Sequence, residues 1–271
     1  CVLNAREFGY GTVVLQSGED PGLTPERIAG LVSWIKQKTG LAVTLSLGEQ
    51  SEEVFRLWRE AGADRYLLRV ETTDEALMQV IHPGEPHGSR KANLERLFQL
   101  GYETGSGVMV GIPGQTYSIL ARDLVWFRER DFDMIGLGPY LPHPDTPLAG
   151  FKSDHPNQTL ADELTTHKAI ALTRIMCPDA NLPATTALAT INRSDGREVA
   201  LQRGANVVMP NLTPVQYRSL YEIYPSKACI NETADICQGC LGGRINSIGR
   251  KIGVGPGSRK SKLNSKEKNM K

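Results

Sequence analysis

Seven short apolar runs, each followed by a segment of helical spacing, constrain the fold of this chain more than any other feature. They read GTVVLQSGED from Gly11, LAVTLSLGE from Leu41, DRYLLRVET from Asp64, TGSGVMVGIPG from Thr104, MIGLGPYLPH from Met134, LPATTALATI from Leu182 and NVVMPNL from Asn206. Each is too apolar on both faces for a half-exposed antiparallel strand and fits a parallel strand covered on both sides. Between the first two, residues 24–39 offer Thr24 as an N-cap, Pro25 at the first helical position and a stripe of Ile28, Leu31, Val32 and Ile35. The other connectors behave alike. Ser51 precedes Val54, Leu57, Trp58 and Ala61, Ser89 precedes Leu94, Leu97 and Phe98 with a stop at Gly101, and residues 117–132 and 159–177 carry similar spacing.

Strict strand–helix alternation demands parallel strands joined by right-handed crossovers. The expected class is α/β, and the natural closure is a (β/α)8 TIM-type barrel, with an open doubly wound sheet as the alternative. The opening CVLNAREFGYG reads as the end of a helix closing at Gly9 and Gly11. With seven units visible and a first residue that is not methionine, the expectation is a barrel lacking its first strand. It runs over residues 1–225 as strands two to eight, followed by a cysteine-bearing segment at 226–249 and a tail at 250–271. That tail has eight Lys or Arg against the single acid Glu267 and reads as disordered. Over the whole chain 31 basic side chains meet 30 acidic ones, so no global field argues for nucleic acid or a membrane surface. No apolar run approaches the roughly 18 residues of a membrane span, and nothing reads as a signal peptide, so a cytoplasmic protein is expected.

In a parallel barrel the active site forms at the carboxyl ends of the strands. Those ends are polar here: Ser17, Gly18 and Glu19; Thr44, Ser46 and Glu49; Arg69 and Glu71; Met109 and Gly111; His143; Thr185 and Thr186; Met209 and Asn211. Glu71 can accept two ribose hydroxyls, and Arg90 can clamp a carboxylate through parallel hydrogen bonds. The competing reading makes Arg69 and Glu71 a structural ion pair and Arg90 a surface side chain. Around Gly105, Gly107 and Gly111 missing side chains would let a flat ring approach, with Met109 beneath it, although glycines at a strand end equally serve turns. His143 reads as a loop residue capping local structure.

Five cysteines, an odd number, fit a reducing compartment. Cys229-x7-Cys237-x2-Cys240 can hold an iron–sulfur cluster on three thiolates, a zinc ion with a fourth ligand from elsewhere, or nothing. Cys177, before Pro178, reads as a buried thiol.

Taken in order, VVLQSGEDPG, VTLSLGE, DRYLLRVET, LGYETGSGVMVGIPGQT, FDMIGLGPYLPHPDTPLAG, LPATTALATI and GANVVMPNLTP resemble the radical S-adenosylmethionine (SAM) maturases of FeFe-hydrogenase, within the biotin synthase and methylornithine synthase group. The resemblance runs from about Gly11 to Cys240. It implies an enzyme in which a site-differentiated 4Fe-4S cluster binds SAM and splits it to methionine and a 5′-deoxyadenosyl radical. It places Ser17, Gly18 and Glu19 by the methionyl amine, Glu71 on the ribose, Arg90 on the carboxylate and Met109 beside the adenine. Thr44, Ser46, Arg69, Thr185, Thr186 and Met209 would face the substrate, a small iron complex carrying carbon monoxide, cyanide and cysteine, on the way to the hydrogenase diiron subcluster. Cys229, Cys237 and Cys240 match an auxiliary cluster of some members, and other hydrogenase maturation proteins are the implied partners. The family's Cx3CxxC loop has no counterpart in the chain, so the chain as it stands is expected to hold SAM weakly and not to cleave it. Biotin-synthase-like or methylornithine-synthase-like chemistry is the near alternative, and a cluster-free nucleoside-binding barrel or assembly scaffold the remote one.

Overall fold

A computed structural model describes residues 1–84 and 89–259. Helix α1 (Val2–Glu7) leads into β1 (Thr12–Gln16), α2 (Pro25–Thr39), β2 (Ala42–Ser46), α3 (Glu52–Glu60), β3 (Arg65–Leu67), α4 (Glu75–Ile81) and α5 (Ser89–Gln99). After these come β4 (Glu103–Val110), α6 (Tyr117–Arg130), β5 (Met134–Pro139), α7 (Glu163–Met176), α8 (Thr186–Ile191), α9 (Gly196–Gln202), α10 (Val215–Arg218) and α11 (Ala234–Ser247). Helix starts obey local capping chemistry: the side chains of Thr24, Ser51, Asp74, Thr116 and Asp162 each accept from the backbone N–H three residues on.

The five strands are parallel and their order in the sheet is their order in the chain. A doubly wound sheet reverses direction at a switch point, whereas a barrel winds one way, so this topology is that of a partial (β/α) barrel. The wall continues beyond β5 through single parallel bridges, Met134 to Asn181 and Pro183 to Val207. Those bridges are all that the sixth and seventh expected strands amount to. LPATTALATI is the clear correction: after Ala184 it turns into α8, because the Thr185 hydroxyl accepts from Leu188 N and Ala187, Leu188 and Ala189 are strong helix formers.

Alternation along each strand divides the sheet into two faces. Val13, Val43, Leu45, Tyr66, Leu68, Val108, Val110, Ile135 and Leu137 are buried in one core with Ile28, Val32 and Ile35 of α2, Phe55 and Trp58 of α3, Leu94 and Leu97 of α5 and Phe127 of α6. Leu31, grouped with that α2 stripe by spacing, is 40% exposed. The alternate positions form the concave face, with Val14, Gln16, Thr44 and Ser46 on β1 and β2, Gly105, Gly107 and Met109 on β4, and Gly136 and Gly138 on β5.

Residues 250–259, expected to be free, pack under the amino ends of the strands; the rest of the expected disordered tail lies outside the described residues. The Pro256 carbonyl accepts from Thr12 Oγ1 at 2.7 Å and from Arg65 at 2.8 Å, and Gly257 O accepts from Asn181 Nδ2 at 2.8 Å. Arg259 pairs with Asp131. A side chain on Gly11 would strike the Gly255 carbonyl, so a glycine is required at that crossing.

Candidate functional site

The polar strand ends meet in one connected arrangement. Glu19, following β1, folds over Gly48, where a Cβ would sit 2.3 Å from its Cγ, and accepts from Glu49 N at 3.3 Å. Gly48 takes a left-handed φ of +77°, and Tyr66 holds it by donating its hydroxyl to the Gly48 carbonyl at 2.9 Å. The Glu49 carboxylate accepts from Ser89 at 3.1 Å and Asn93 at 2.6 Å and lies 3.5 Å from Arg90 Nε. Arg90 in turn donates to the Arg69 carbonyl at 2.9 Å. Its side chain is only 14% exposed, so it is not the surface residue of the competing reading.

Arg69 and Glu71 do form an ion pair, at 3.3 Å. Arg69 Nε is buried without a hydrogen-bond partner, and Glu71 Oε2, the oxygen that faces Arg69 in the ion pair, accepts no hydrogen bond. Glu71 has a φ of +60°, costly for a residue with a Cβ, and is held there because its N–H donates to the Gly107 carbonyl at 3.0 Å. Gly107 gives Arg69 its room: a Cβ there would lie 3.2 Å from Arg69 Nε and 2.4 Å from the Gly136 carbonyl. Of the other glycines on this face, Gly105 lies under Met134 and Leu67 and Gly138 under Thr185, so backbone and side chains pack closely here beside the half-buried Met109.

Two side chains that sequence reasoning passed over shape this mouth. Gln115, fully buried, donates to the Met109 carbonyl at 2.9 Å and accepts from Gly111 N at 2.7 Å, clipping the turn after β4. Its place in GIPGQT gave it a location but no role. Asp123, also fully buried, accepts from Thr73 N and Thr73 Oγ1, each at 2.6 Å, and so pins the loop that carries Glu71. Burial pushes the Asp123 carboxyl up to about 6 from an ordinary 3.8, although the bonds from Thr73 and Thr72 pull it down. A raised folded value means that this group's stabilisation is complete below the unfolded value and is lost as pH rises through about 6. The stability difference between wild type and Asp123→Asn is therefore expected to shrink by about 1.4 kcal/mol from about pH 5 to about pH 8. Urea unfolding at the two pH values measures it, and a flat or rising difference would show that burial does not dominate.

On the far side of the mouth Thr185 caps α8 and Thr186 Oγ1 lies 3.2 Å from Arg197. Thr44 is buried, Ser46 half-buried, and Met209 is 44% exposed past the last bridge. Arg218, 3% exposed, donates to the carbonyls of Asn211, Thr213, Cys229 and Glu232, tying the cysteine segment to this wall. Its role depends on partners up to 14 residues away in sequence, and no motif signals it. Cys229 and Cys237 come together, and Cys240 is exposed. The bond from Cys237, helped by Arg197, holds the Cys229 thiol well below its usual range, while that same bond and burial push Cys237 up. Among the described residues no three His, Cys, Asp or Glu side chains gather in a way that could hold a metal ion. His143 bonds within its own loop, its ring accepting from Asp145 N at 3.2 Å.

The mouth offers SAM a buried Arg69 Nε that has no hydrogen-bond partner, beside the Arg69–Glu71 pair. It does not fit a radical SAM cluster: the cysteines stand at 1, 177, 229, 237 and 240, and no three of them make a Cx3CxxC. An open cleft at the opposite end, lined by Arg65, Tyr102, Glu103, Pro256 and Ser258, sits at the amino ends of the strands, where barrels place structure rather than chemistry.

Comparison with known proteins agrees with this fold. The model of the radical SAM superfamily matches residues 2–126. The chain is 51% identical over 256 residues to the [FeFe] hydrogenase maturase subunit HydE of Thermotoga maritima, covering 94% of this chain and 71% of that one. It is 31% identical over 208 residues to 3-methylornithine synthase of Methanosarcina barkeri, covering 76% of this chain and 56% of that one, so it spans little more than half of that relative. The crystal structure of methylornithine synthase, 24% identical, superposes with a TM-score of 0.75 over 97% of this chain and 74% of that one. At that level of identity to HydE, with the winding of the sheet in agreement, the chain belongs to the HydE hydrogenase maturases of the radical SAM superfamily and is part of an enzyme of hydrogenase maturation.

Proposed function

We propose that this chain forms the SAM-binding and substrate-binding wall of a cytoplasmic maturase that cleaves SAM reductively and acts on a small iron complex during assembly of the hydrogenase diiron subcluster. The observation that carries the reading is the polar line from Glu19 through Glu49, Arg90 and Arg69 to Glu71 at the carboxyl ends of the strands. SAM, once bound and cleaved, supplies a 5′-deoxyadenosyl radical; the chain's own residues bind and orient. Glu71, held at a left-handed φ of +60°, accepts the ribose hydroxyls. Arg90 takes the methionyl carboxylate while Glu49 fixes its guanidinium. Ser17, Gly18 and Glu19 border the amine, and Met109 offers a polarizable face to the adenine.

Thr44, Ser46, Arg69, Thr185, Thr186 and Met209 line the substrate side. Hydroxyls and a guanidinium suit a ligand carrying cyanide and carboxylate groups, which accept hydrogen bonds. Cys229, Cys237 and Cys240 would hold the auxiliary cluster that the family resemblance implies only if Cys240 joined the other two. Other hydrogenase maturation proteins are the proposed partners. Among the described residues no helix is long and apolar enough to cross a membrane. Anaerobic iron–sulfur reconstitution of the gene's full-length product, followed by dithionite and SAM, is expected to release 5′-deoxyadenosine. Absence of that product defeats the enzymatic reading.

A further inference from the structure

Glu71 sits at the centre of a strained three-residue turn. Thr72 N donates to the Val70 carbonyl at 2.8 Å and closes the turn around Glu71, whose φ of +60° makes it the rare form. A residue with a Cβ keeps such a conformation only where its surroundings over-determine it. On the strand side, Val70 N donates to Ser106 Oγ at 3.2 Å and Glu71 N to the Gly107 carbonyl at 3.0 Å. On the other side, the restraint centres on Asp123 of α6, which is fully buried. Its Oδ1 accepts from both Thr73 N and Thr73 Oγ1 at 2.6 Å, and its Oδ2 accepts from Thr72 Oγ1 at 3.5 Å. Lys91 of α5 donates to the Thr73 carbonyl at 2.9 Å, and Arg122 pairs with Asp74 at 2.9 Å. Lys91 is 34% exposed and Arg122 59%, so water screens both and the buried carboxylate carries most of the restraint.

We infer that Asp123 is a positioning residue for SAM: acting through Thr73, it holds Glu71 in the left-handed turn from which the carboxylate receives the ribose. The inference rests on the assignment of Glu71 to the ribose and adds to it a residue of α6 that lies 50 positions along the chain from Thr73. Without Asp123, residues 71–73 relax toward ordinary backbone angles, and only a fraction of molecules keeps Glu71 in the turn. Apparent affinity for SAM falls by that fraction, because a ligand that selects one conformation binds in proportion to its population. Asp123 is fully buried on its helix, so its effect on the ligand passes through Glu71. Two consequences separate this role from a purely structural one. Losing Asp123 weakens SAM binding only while the Glu71 carboxylate is present, and a core truncation elsewhere on α6 leaves SAM binding unchanged.

The test is calorimetric titration with SAM of the gene's full-length product after anaerobic iron–sulfur reconstitution, as a cycle of Asp123→Ala, Glu71→Ala and the double variant. Asp123→Ala is expected to weaken binding about tenfold, and by less than about twofold when Glu71 is already alanine. Asp123→Asn keeps an oxygen for Thr73 N and is expected to recover most of the loss. Thr73→Val removes one hydroxyl bond and leaves the core untouched, so it is expected to show the same pattern at about threefold even where Asp123→Ala does not fold. Phe127→Leu, which trims the core on the same helix, is expected to bind like wild type. Without SAM, amide exchange in a peptide covering residues 69–74 is expected to be faster in Thr73→Val than in wild type. Equal losses in both Glu71 backgrounds, an equal loss in Phe127→Leu, or unchanged exchange would each overturn the inference. A loss in Glu71→Ala with none in Asp123→Ala or Thr73→Val overturns it alone, whereas no loss in Glu71→Ala overturns the ribose assignment and this inference with it.

Discussion

Glu71→Ala is expected to weaken SAM binding by about thirtyfold, in the range of about 1.5 to 3 kcal/mol that hydrogen bonds to a charged group contribute. On the proposed reading the carboxylate receives the ribose hydroxyls, and its loss also leaves Arg69 without its ion-pair partner. Glu71→Gln keeps the shape and one acceptor and should fall between the two. Isothermal titration with SAM measures all three, with Cys237→Ser as the variant expected to bind like wild type. Unchanged affinity in Glu71→Ala would move the ribose elsewhere and with it the proposed orientation of SAM.

The largest effect on stability is expected at the opposite end of the strands. Arg65 is 3% exposed; its Nε pairs with Glu103 at 2.7 Å, and its other nitrogens reach Thr12 at 2.9 Å, the Pro256 carbonyl at 2.8 Å and Ser258 at 3.0 Å. Arg65→Ala strands the Glu103 carboxylate in a buried site and releases the C-terminal segment, a loss of about 3–5 kcal/mol. Arg65→Met with Glu103→Leu removes both charges and is expected to cost much less, because the penalty lies in the uncompensated charge. Urea unfolding separates the two. Equal losses in the single and double variants would show that packing rather than charge sets the cost.

Local signals made much of this fold readable. Thr24 with Pro25, Ser51 and Gly101 mark helix ends by chemistry that acts within four residues, and the apolar runs locate the five strands. Alternation alone left barrel and doubly wound sheet open, since both have it; only the sequential strand order decides between them. LPATTALATI misled because its apolar composition suits a buried strand as well as a helix, and a single cap at Thr185 settles the matter. The docked segment 250–259 was hidden because its contacts are backbone carbonyls meeting Thr12 and Arg65, 244 and 191 residues away. At the mouth the strand ends named the candidate residues; Arg69 and Glu71 pair as the competing reading has it, and Arg69 keeps a buried Nε without a hydrogen-bond partner. Arg197 and Arg218 could not be found that way, because a buried arginine declares itself only through the partners the fold brings to it.

Hydrogen exchange of the chain with and without SAM tests the central claim most directly. The account predicts that SAM slows exchange at the carboxyl ends of the strands, in peptides covering residues 16–19, 69–72 and 107–111, and leaves the 250–259 segment unchanged. Protection confined to the amino ends of the strands, or absent from all three mouth peptides at saturating SAM, would contradict it.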